Sequence, residues 1–273
     1  MTLIIAKNIG TEFSILSDTK VSIPLTKRTD GKLIDESVKP FSPIKGCLKV
    51  LILNPLICVA YAGNVQQAKR IIKELIESKI IDLEKVKQFL ENERNLLKGQ
   101  DIVDFILAVS IDKKPVLYEL KKDKFTTVNQ SWIGDIKVFS EFQERYNKSN
   151  NSYIAFCDTV DSQYINSSVD GFIVEICFIE GYFYYTPRNR IANTLKEDLI
   201  IPAYSTKALP ITGSVAQGSY HETYLVSDNI QQPAFGVYLT GFGLFYSPIL
   251  MITDESYKEK LFEGILIKCN NHL

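Results

Sequence analysis

The chain has 273 residues, a formal net charge of −1 and 45% hydrophobic residues, enough for one large domain or two small ones with a buried core. The small net charge offers no basic surface for a nucleic acid or an anionic membrane, so neither is expected as a partner. No stretch has the pattern of a secretion signal or a membrane-spanning helix. Five cysteines without CxxC spacing predict reduced thiols in a cytoplasmic protein, and with two histidines no histidine triad or metal site is expected.

The first twenty residues carry the pattern of a β-hairpin. Two apolar runs, at 3–6 and 13–16, flank the sequence Asn-Ile-Gly-Thr at 8–11. The glycine suits a tight turn, so this stretch predicts a hairpin that folds the chain back on itself. Such a hairpin would bring Asp18, which follows the second run, close to Thr2.

Thr2 follows Met1, and an initiator methionine is usually removed when the second residue is small. The mature chain would then begin with a threonine that carries both a hydroxyl and a free α-amine. The hydroxyl is a nucleophile, and the amine, with an ordinary pKa of about 7.7–8.0, can serve as its general base near neutral pH. Most chains that begin Met-Thr merely lose the methionine, so this chemistry depends on the rest of the pattern.

The next part of the chain alternates loop, strand and helix patterns. Residues 22–47 hold three prolines and two glycines among charged residues and predict a long loop with a short strand at 32–34. A second apolar hairpin is predicted over 48–64. Apolar residues that recur at intervals of three and four then predict helices over 65–78 and from the Asp82 cap to residue 99.

The second half of residues 1–186 repeats the order of strands followed by two helices. The predicted segments are strands at 104–111, 116–120 and 125–128, helices at 136–146 and 153–165, and strands at 172–179 and 182–186. Helix pairs between hairpin-linked strands predict an α+β fold with layered helices and mostly antiparallel sheets. Residues 187–273 are rich in glycine and tyrosine and predict a β-rich C-terminal extension packed on the first part.

In the order of its elements and in several short motifs, the stretch 2–186 resembles the proteasome β subunits and the peptidase subunit of the bacterial two-component ATP-dependent protease. These proteins are N-terminal-nucleophile hydrolases. The resemblance implies a four-layer αββα sandwich over residues 1–186, to which 187–273 would be an addition. It also implies that Thr2 is the catalytic nucleophile. Asp18, in Ser17-Asp18-Thr19, matches the family's aspartate at the end of the first hairpin.

Further positions follow from the same resemblance. Lys49, at the start of a strand, matches the family's lysine, and Lys45 is the second choice. Gly63 matches the glycine of the oxyanion hole. The glycine before the third predicted helix resembles the family's Gly-Ser-Gly turn, with Asp135 in the place of serine.

These residue types form a chemically consistent set. A buried lysine near the Thr2 hydroxyl would lower the effective pKa of that hydroxyl, and Asp18 would keep the lysine charged and oriented. A backbone N–H at Gly63 could stabilise the tetrahedral oxyanion by roughly a few kcal/mol. Taken singly, each residue also has an ordinary explanation as a turn, strand-start or helix-entry residue, so the joint pattern carries the prediction.

One family motif is altered in this chain. Relatives often carry Asp-x-x-Ser-Gly-Gly after the fourth helix, where the aspartate and serine steady the α-amine. Here the sequence is Asn166-Ser167-Ser168-Val169-Asp170-Gly171. Asp170 or Asp135 is the candidate for that supporting role.

The resemblance implies a threonine peptidase that acts on peptide or protein substrates without a cofactor or metal. It also implies a ring-like homo-oligomer and an ATPase partner. One alternative is a non-catalytic subunit of the same fold, used for assembly or regulation, which the altered segment at 166–171 would favour. A weaker alternative is an amidase for small molecules on the same scaffold.

Overall fold

The computed structural model describes residues 2–21, 46–80, 82–162, 169 and 173–186, together with the backbone of short strands elsewhere. The described part is an α+β protein, as predicted, and its strand pairings are antiparallel. In chain order the elements are β1 (Leu3–Ile9), β2 (Glu12–Ser17), β3 (Thr26–Lys27), β4 (Leu33–Ile34), β5 (Val50–Asn54), β6 (Ile57–Gly63), α1 (Val65–Glu77), α2 (Leu83–Leu96), β7 (Val103–Ile111), β8 (Lys114–Leu120), β9 (Thr126–Val128), β10 (Gln130–Gly134), α3 (Ile136–Ser149), α4 (Ser152–Ser162), β11 (Val174–Ile179), β12 (Tyr182–Tyr185), β13 (Ile211–Thr212), β14 (Tyr220–Ser227), β15 (Ile230–Leu239), β16 (Phe242–Tyr246) and β17 (Ile265–Lys268).

The first sheet has five strands in the order β10-β1-β2-β11-β12. Its centre is the N-terminal hairpin predicted from the sequence, with Gly10 at the turn in a left-handed conformation at φ 63°. The strand β10 was not predicted; the sequence there was interpreted only as the approach to α3. It pairs along β1, which places Gly134 opposite Leu3.

The second sheet also has five strands, in the order β5-β6-β7-β8-β9. Its strands and the helix α1 lie close to their predicted positions. The helix α2 was predicted to reach residue 99 but ends at Leu96, because Leu97 is extended at φ −81° and ψ 142°. Side chains at the predicted helix starts act as caps: Asn64 accepts hydrogen bonds from the first turn of α1, and Asp82 accepts one from Lys85. These caps satisfy N–H groups that have no partner within a helix.

Side chains of β1 alternate between two hydrophobic clusters, because successive strand residues point to opposite faces of a sheet. Ile4 and Ala6 belong to a large cluster that also includes residues of β5, β6 and β7 and of the helices α1 and α2. Leu3 and Ile5 belong to a second cluster with Val138 of α3 and other residues of α3 and α4. One face of the first sheet therefore packs against the second sheet, and its other face packs against α3 and α4.

The remaining predicted segments are described only in part. The predicted loop 22–47 contains the two short paired strands β3 and β4, and its other residues up to 45 lie outside the described ones. The described parts of 187–273 are strands, and β13 to β17 form a further sheet. The division into domains 1–186 and 187–273 stays a prediction. Of the helices that the structure describes, none has the length and apolar character needed to cross a membrane.

Candidate active site

The predicted site lies where one end of the first sheet meets one end of the second. The chain enters β1 and leaves β2 at this end, and it enters β5 and leaves β6 there as well. The N–H of Cys47 donates to the carbonyl oxygen of Thr19 at 2.8 Å, which joins the segment after β2 to the segment before β5. This contact brings residues from both sheets to one place.

Thr2, Asp18 and Lys49 form a continuous series of hydrogen bonds here. Thr2 Oγ1 donates to Asp18 Oδ1, and Lys49 Nζ donates to Asp18 Oδ2 at 2.7 Å. The backbone N–H groups of Leu3 and Lys20 each donate to one oxygen of the same carboxylate at 3.2 Å. Exposure is 4% for Thr2, 0% for Asp18 and 1% for Lys49, so these contacts form away from bulk water.

The carboxylate is the direct partner of the threonine hydroxyl. Asp18 therefore lies between the hydroxyl and the ammonium, with one oxygen for each, and it orients both groups. The backbone donors from Leu3 and Lys20 could not have been recognised in the sequence, because any residue except proline supplies an N–H.

Burial and pairing act in opposite directions on Lys49. Burial lowers the pKa of the Lys49 ammonium, because an ion loses hydration when it leaves water, and the charge of Asp18 and its hydrogen bond oppose that shift. A buried ammonium without such a partner would tend to give up its proton. The contact with Asp18 thus opposes the loss of the Lys49 proton that burial favours.

The backbone of Thr2 is held from the other side by the turn between β10 and α3. The carbonyl oxygen of Thr2 accepts a hydrogen bond from the N–H of Asp135 at 2.8 Å. Gly134 has φ 116°, and a Cβ atom at this position would lie 1.9 Å from the Thr2 carbonyl oxygen. Glycine is required here both by the backbone conformation and by the close approach of Thr2.

We expect Gly134→Ala to lower the free energy of unfolding by roughly 3 kcal/mol or more, because the methyl group would overlap Thr2 and the backbone would be strained. Gly10→Ala is the matched control, since Gly10 also has a positive φ of 63° but has no atom within 4 Å of its Cβ position. It should cost only about 1–2 kcal/mol. Urea denaturation of both variants measures the difference, and equal costs would contradict a special contact between Gly134 and Thr2.

Comparison of the sequence with protein families and with curated proteins identified no relative. No protein-family model matches the chain, and no curated protein matches it significantly.

Asp135 caps α3, since its Oδ1 accepts a hydrogen bond from the N–H of Lys137 at 2.9 Å. Its predicted support of the α-amine stays a prediction, and Asp135→Asn separates the two roles, because asparagine caps a helix about as well as aspartate. With a supporting role, we expect the variant to unfold at the wild-type urea concentration but to react several-fold more slowly at Thr2. An unchanged rate of reaction, measured with a covalent threonine-directed inhibitor, would restrict Asp135 to capping.

Gly63 lies at the end of β6, directly before the cap of α1. It has φ 122°, and a Cβ atom would lie 2.2 Å from the carbonyl oxygen of Ile102, so only glycine fits. The N–H of Tyr61, two residues earlier, donates to the carbonyl oxygen of Lys49 at 3.0 Å, which places this end of β6 alongside Lys49. The oxyanion role of Gly63 stays a prediction.

Other predicted positions lie outside the described residues. They are Met1, the second-choice lysine Lys45 and the supporting candidate Asp170. Within the part of the chain that the structure describes, no group of three or more His, Cys, Asp or Glu side chains is placed to hold a metal ion. Four cysteines in that part, Cys47, Cys58, Cys157 and Cys177, are free thiols.

Proposed function

We propose that this chain is a threonine-type N-terminal-nucleophile hydrolase that cleaves peptide bonds through Thr2 once Met1 has been removed. The observation that supports this best is the buried series of hydroxyl, carboxylate and ammonium formed by Thr2, Asp18 and Lys49. A purely structural hairpin end has no need of a buried ion pair, which is expensive to remove from water.

In the proposed reaction, the Thr2 hydroxyl oxygen attacks the carbonyl carbon of the scissile amide. The hydroxyl proton passes to the α-amine of Thr2, directly or through water, because an ordinary α-amine pKa of about 7.7–8.0 suits neutral pH better than a carboxylate's 3.9. The carbonyl electron pair moves to oxygen, and the N–H of Gly63 stabilises the resulting oxyanion. Collapse expels the amine, which takes the proton, and water then hydrolyses the ester on Thr2.

Asp18 and Lys49 prepare the nucleophile in this proposal. Asp18 fixes the hydroxyl in one orientation, which reduces the entropy lost on reaching the transition state. Lys49 lies on the other oxygen of the same carboxylate, and its positive charge offsets the charge of Asp18, which would otherwise oppose the negative charge that develops on the threonine oxygen. Both effects are strongest in a buried site, where water does not screen them.

The proposal includes a scaffold and an assembly. Residues 1–186 would form a four-layer αββα sandwich, supported by the packing of the first sheet between α3 and α4 on one face and the second sheet on the other. The extension at 187–273 would pack on it. We further propose a cytoplasmic homo-oligomer that degrades peptides or proteins, with an ATPase as a partner.

A second function is favoured by one feature of the sequence. In the segment Asn166-Ser167-Ser168-Val169-Asp170-Gly171, Asn166 and Val169 replace the aspartate and serine that the resembled family uses near the α-amine. A non-catalytic assembly or regulatory subunit would tolerate that change. A small-molecule amidase on the same scaffold is the weaker alternative, and comparing peptide with acyl-amide substrates distinguishes it from a peptidase.

The decisive experiment treats the purified full chain with a peptide epoxyketone, which forms a ring with the hydroxyl and amine of an N-terminal threonine. We expect intact-mass spectrometry to show loss of Met1 and addition of one inhibitor, located on the N-terminal peptide. Retention of Met1 together with no labelling would exclude the hydrolase and favour the non-catalytic subunit.

A further inference from the structure

The segment that carries Lys49 precedes the regular part of the second sheet. The strand β5 begins at Val50, so Leu48 and Lys49 come before its ladder. Tyr61 on the neighbouring strand binds both residues. Its N–H donates to the Lys49 carbonyl oxygen, and its phenol O–H donates to the Leu48 carbonyl oxygen, each at 3.0 Å. One residue therefore holds the backbone on both sides of the Lys49 α-carbon.

A buried thiol extends this set of contacts toward Asp18. Cys47 Sγ lies 3.1 Å from the phenol oxygen of Tyr61. The phenol O–H donates to the carbonyl of Leu48, so the phenol oxygen can accept from the thiol, whose other acceptor is the Leu48 carbonyl oxygen at 3.6 Å. The N–H of Cys47 donates in turn to the carbonyl oxygen of Thr19, the residue that follows Asp18. The contacts of Tyr61 thus connect the backbone of both members of the ion pair.

We propose that Tyr61 is a positioning residue that holds Lys49 against Asp18 and thereby sets the reactivity of Thr2. A buried ion pair is favourable only when its geometry is maintained. Both charges lose their hydration whether or not the geometry is good, and only a close contact compensates for that loss. Lysine has a long flexible side chain, so its ammonium position depends on a fixed backbone. The effect on Thr2 depends on the proposed function, whereas the effect on Lys49 does not.

Tyr185 provides a matched control in the same part of the core. Its phenol O–H donates to the carbonyl oxygen of Val50 at 3.2 Å, and its phenol oxygen accepts a hydrogen bond from the N–H of Ile52 at 3.3 Å. The side chain is as buried as that of Tyr61. Val50 is also paired with Ala60 in the ladder of β5 and β6. Loss of the Tyr185 hydroxyl therefore removes comparable hydrogen bonds but keeps the bond of Tyr61 to the Leu48 carbonyl. Tyr61→Phe removes that bond and keeps the backbone N–H bond to the Lys49 carbonyl.

The first experiment measures the accessibility of Lys49 in the full chain. Wild type, Tyr61→Phe and Tyr185→Phe are treated with an N-hydroxysuccinimide acetate ester under native conditions, and acetylation of Lys49 is followed by mass spectrometry. We expect Lys49 to be protected in wild type and Tyr185→Phe and acetylated in Tyr61→Phe, with urea midpoints reported for all three. Protection in Tyr61→Phe, or equal acetylation in both variants, would overturn the proposal.

A second readout connects Tyr61 to the reaction. The rate of epoxyketone labelling at pH 7 should fall roughly tenfold to a hundredfold in Tyr61→Phe, as for other small displacements of a catalytic group. The pH dependence of the labelling rate should also shift to higher pH in Tyr61→Phe. In Tyr185→Phe, both the rate and its pH dependence should stay as in wild type. If wild type itself does not label, the hydrolase proposal fails, and the acetylation result still decides the role of Tyr61.

A second variant covers the case in which Tyr61→Phe does not fold. Cys47→Ala removes the contacts of the thiol with the phenol oxygen and with the Leu48 carbonyl oxygen, and it leaves the contact between Tyr61 and Leu48 in place. We expect a smaller rise in Lys49 acetylation in this variant than in Tyr61→Phe. No rise in a folded Cys47→Ala protein, with Tyr61→Phe unfolded, would overturn the proposal.

Discussion

Thr2→Ala is expected to abolish peptide hydrolysis and epoxyketone labelling, with a loss of roughly 10³-fold or more, because the attacking oxygen is removed. The fold should survive, since the variant loses one hydrogen bond to the buried Asp18 carboxylate, worth about 1.5–3 kcal/mol, and Leu3 N–H still donates to the same oxygen. Substrate turnover, inhibitor labelling and urea denaturation measure these effects in parallel.

Thr2→Ser is the control for this experiment. It keeps the hydroxyl and the α-amine, so it should retain measurable labelling. Threonine, alanine and serine are all small enough for Met1 removal, and intact mass verifies that each variant has the same N-terminus. Labelling of Thr2→Ala at the wild-type rate would place the nucleophile elsewhere and contradict the assignment of Thr2.

Lys49→Met is expected to lower the free energy of unfolding by about 3–5 kcal/mol, because it leaves the Asp18 carboxylate buried without its counter-ion. Asp18 is fully buried, so water cannot replace the ammonium without rearrangement of the site. The Met side chain has nearly the length of lysine, which keeps the change in packed volume small. Denaturation by urea at pH 7 measures the loss.

The double variant Asp18→Asn with Lys49→Met tests the cause of that loss. It removes both charges while asparagine keeps a side-chain oxygen for the donors around position 18. We expect the double variant to be more stable than Lys49→Met alone, because breaking a buried pair costs more than replacing it. With Asp18→Asn measured as the second single variant, strictly additive losses would show that Asp18 and Lys49 do not stabilise one another. The double variant should also label slowly at Thr2, which separates stability from reactivity.

Much of the fold could be predicted from local patterns. The α+β class followed from helix pairs between strand segments, and the N-terminal hairpin followed from two apolar runs that flank a turn. The helix α1 followed from apolar residues at intervals of three and four. These patterns are local because each element contains the residues that specify its own hydrogen bonds. The end of α3 was predicted at 146 but lies at Ser149, since the polar residues there continue the exposed face and the helix ends at Asn150 with φ 50°.

The strand β10 was missed for the opposite reason. Its five residues mix polar and apolar side chains, and their extended form depends on pairing with β1, far away in the sequence. The pairing matters for the site, because Gly134 at its end approaches Thr2 so closely. The approach of Gly134 to Thr2 could not be predicted from the sequence around β10, since it depends on how β10 pairs with β1.

The sequence alone predicted that Thr2 and Asp18 come together, because a single hairpin connects them and the turn of a hairpin sets its register. It also pointed to Lys49, but only through a family resemblance that left Lys45 as a second choice. The tertiary structure decided that Lys49 reaches the carboxylate, that Asp18 lies between hydroxyl and ammonium, and that Tyr61 holds the segment. A buried charge finds its partner only when the two sheets pack and exclude water, and no local pattern encodes that event.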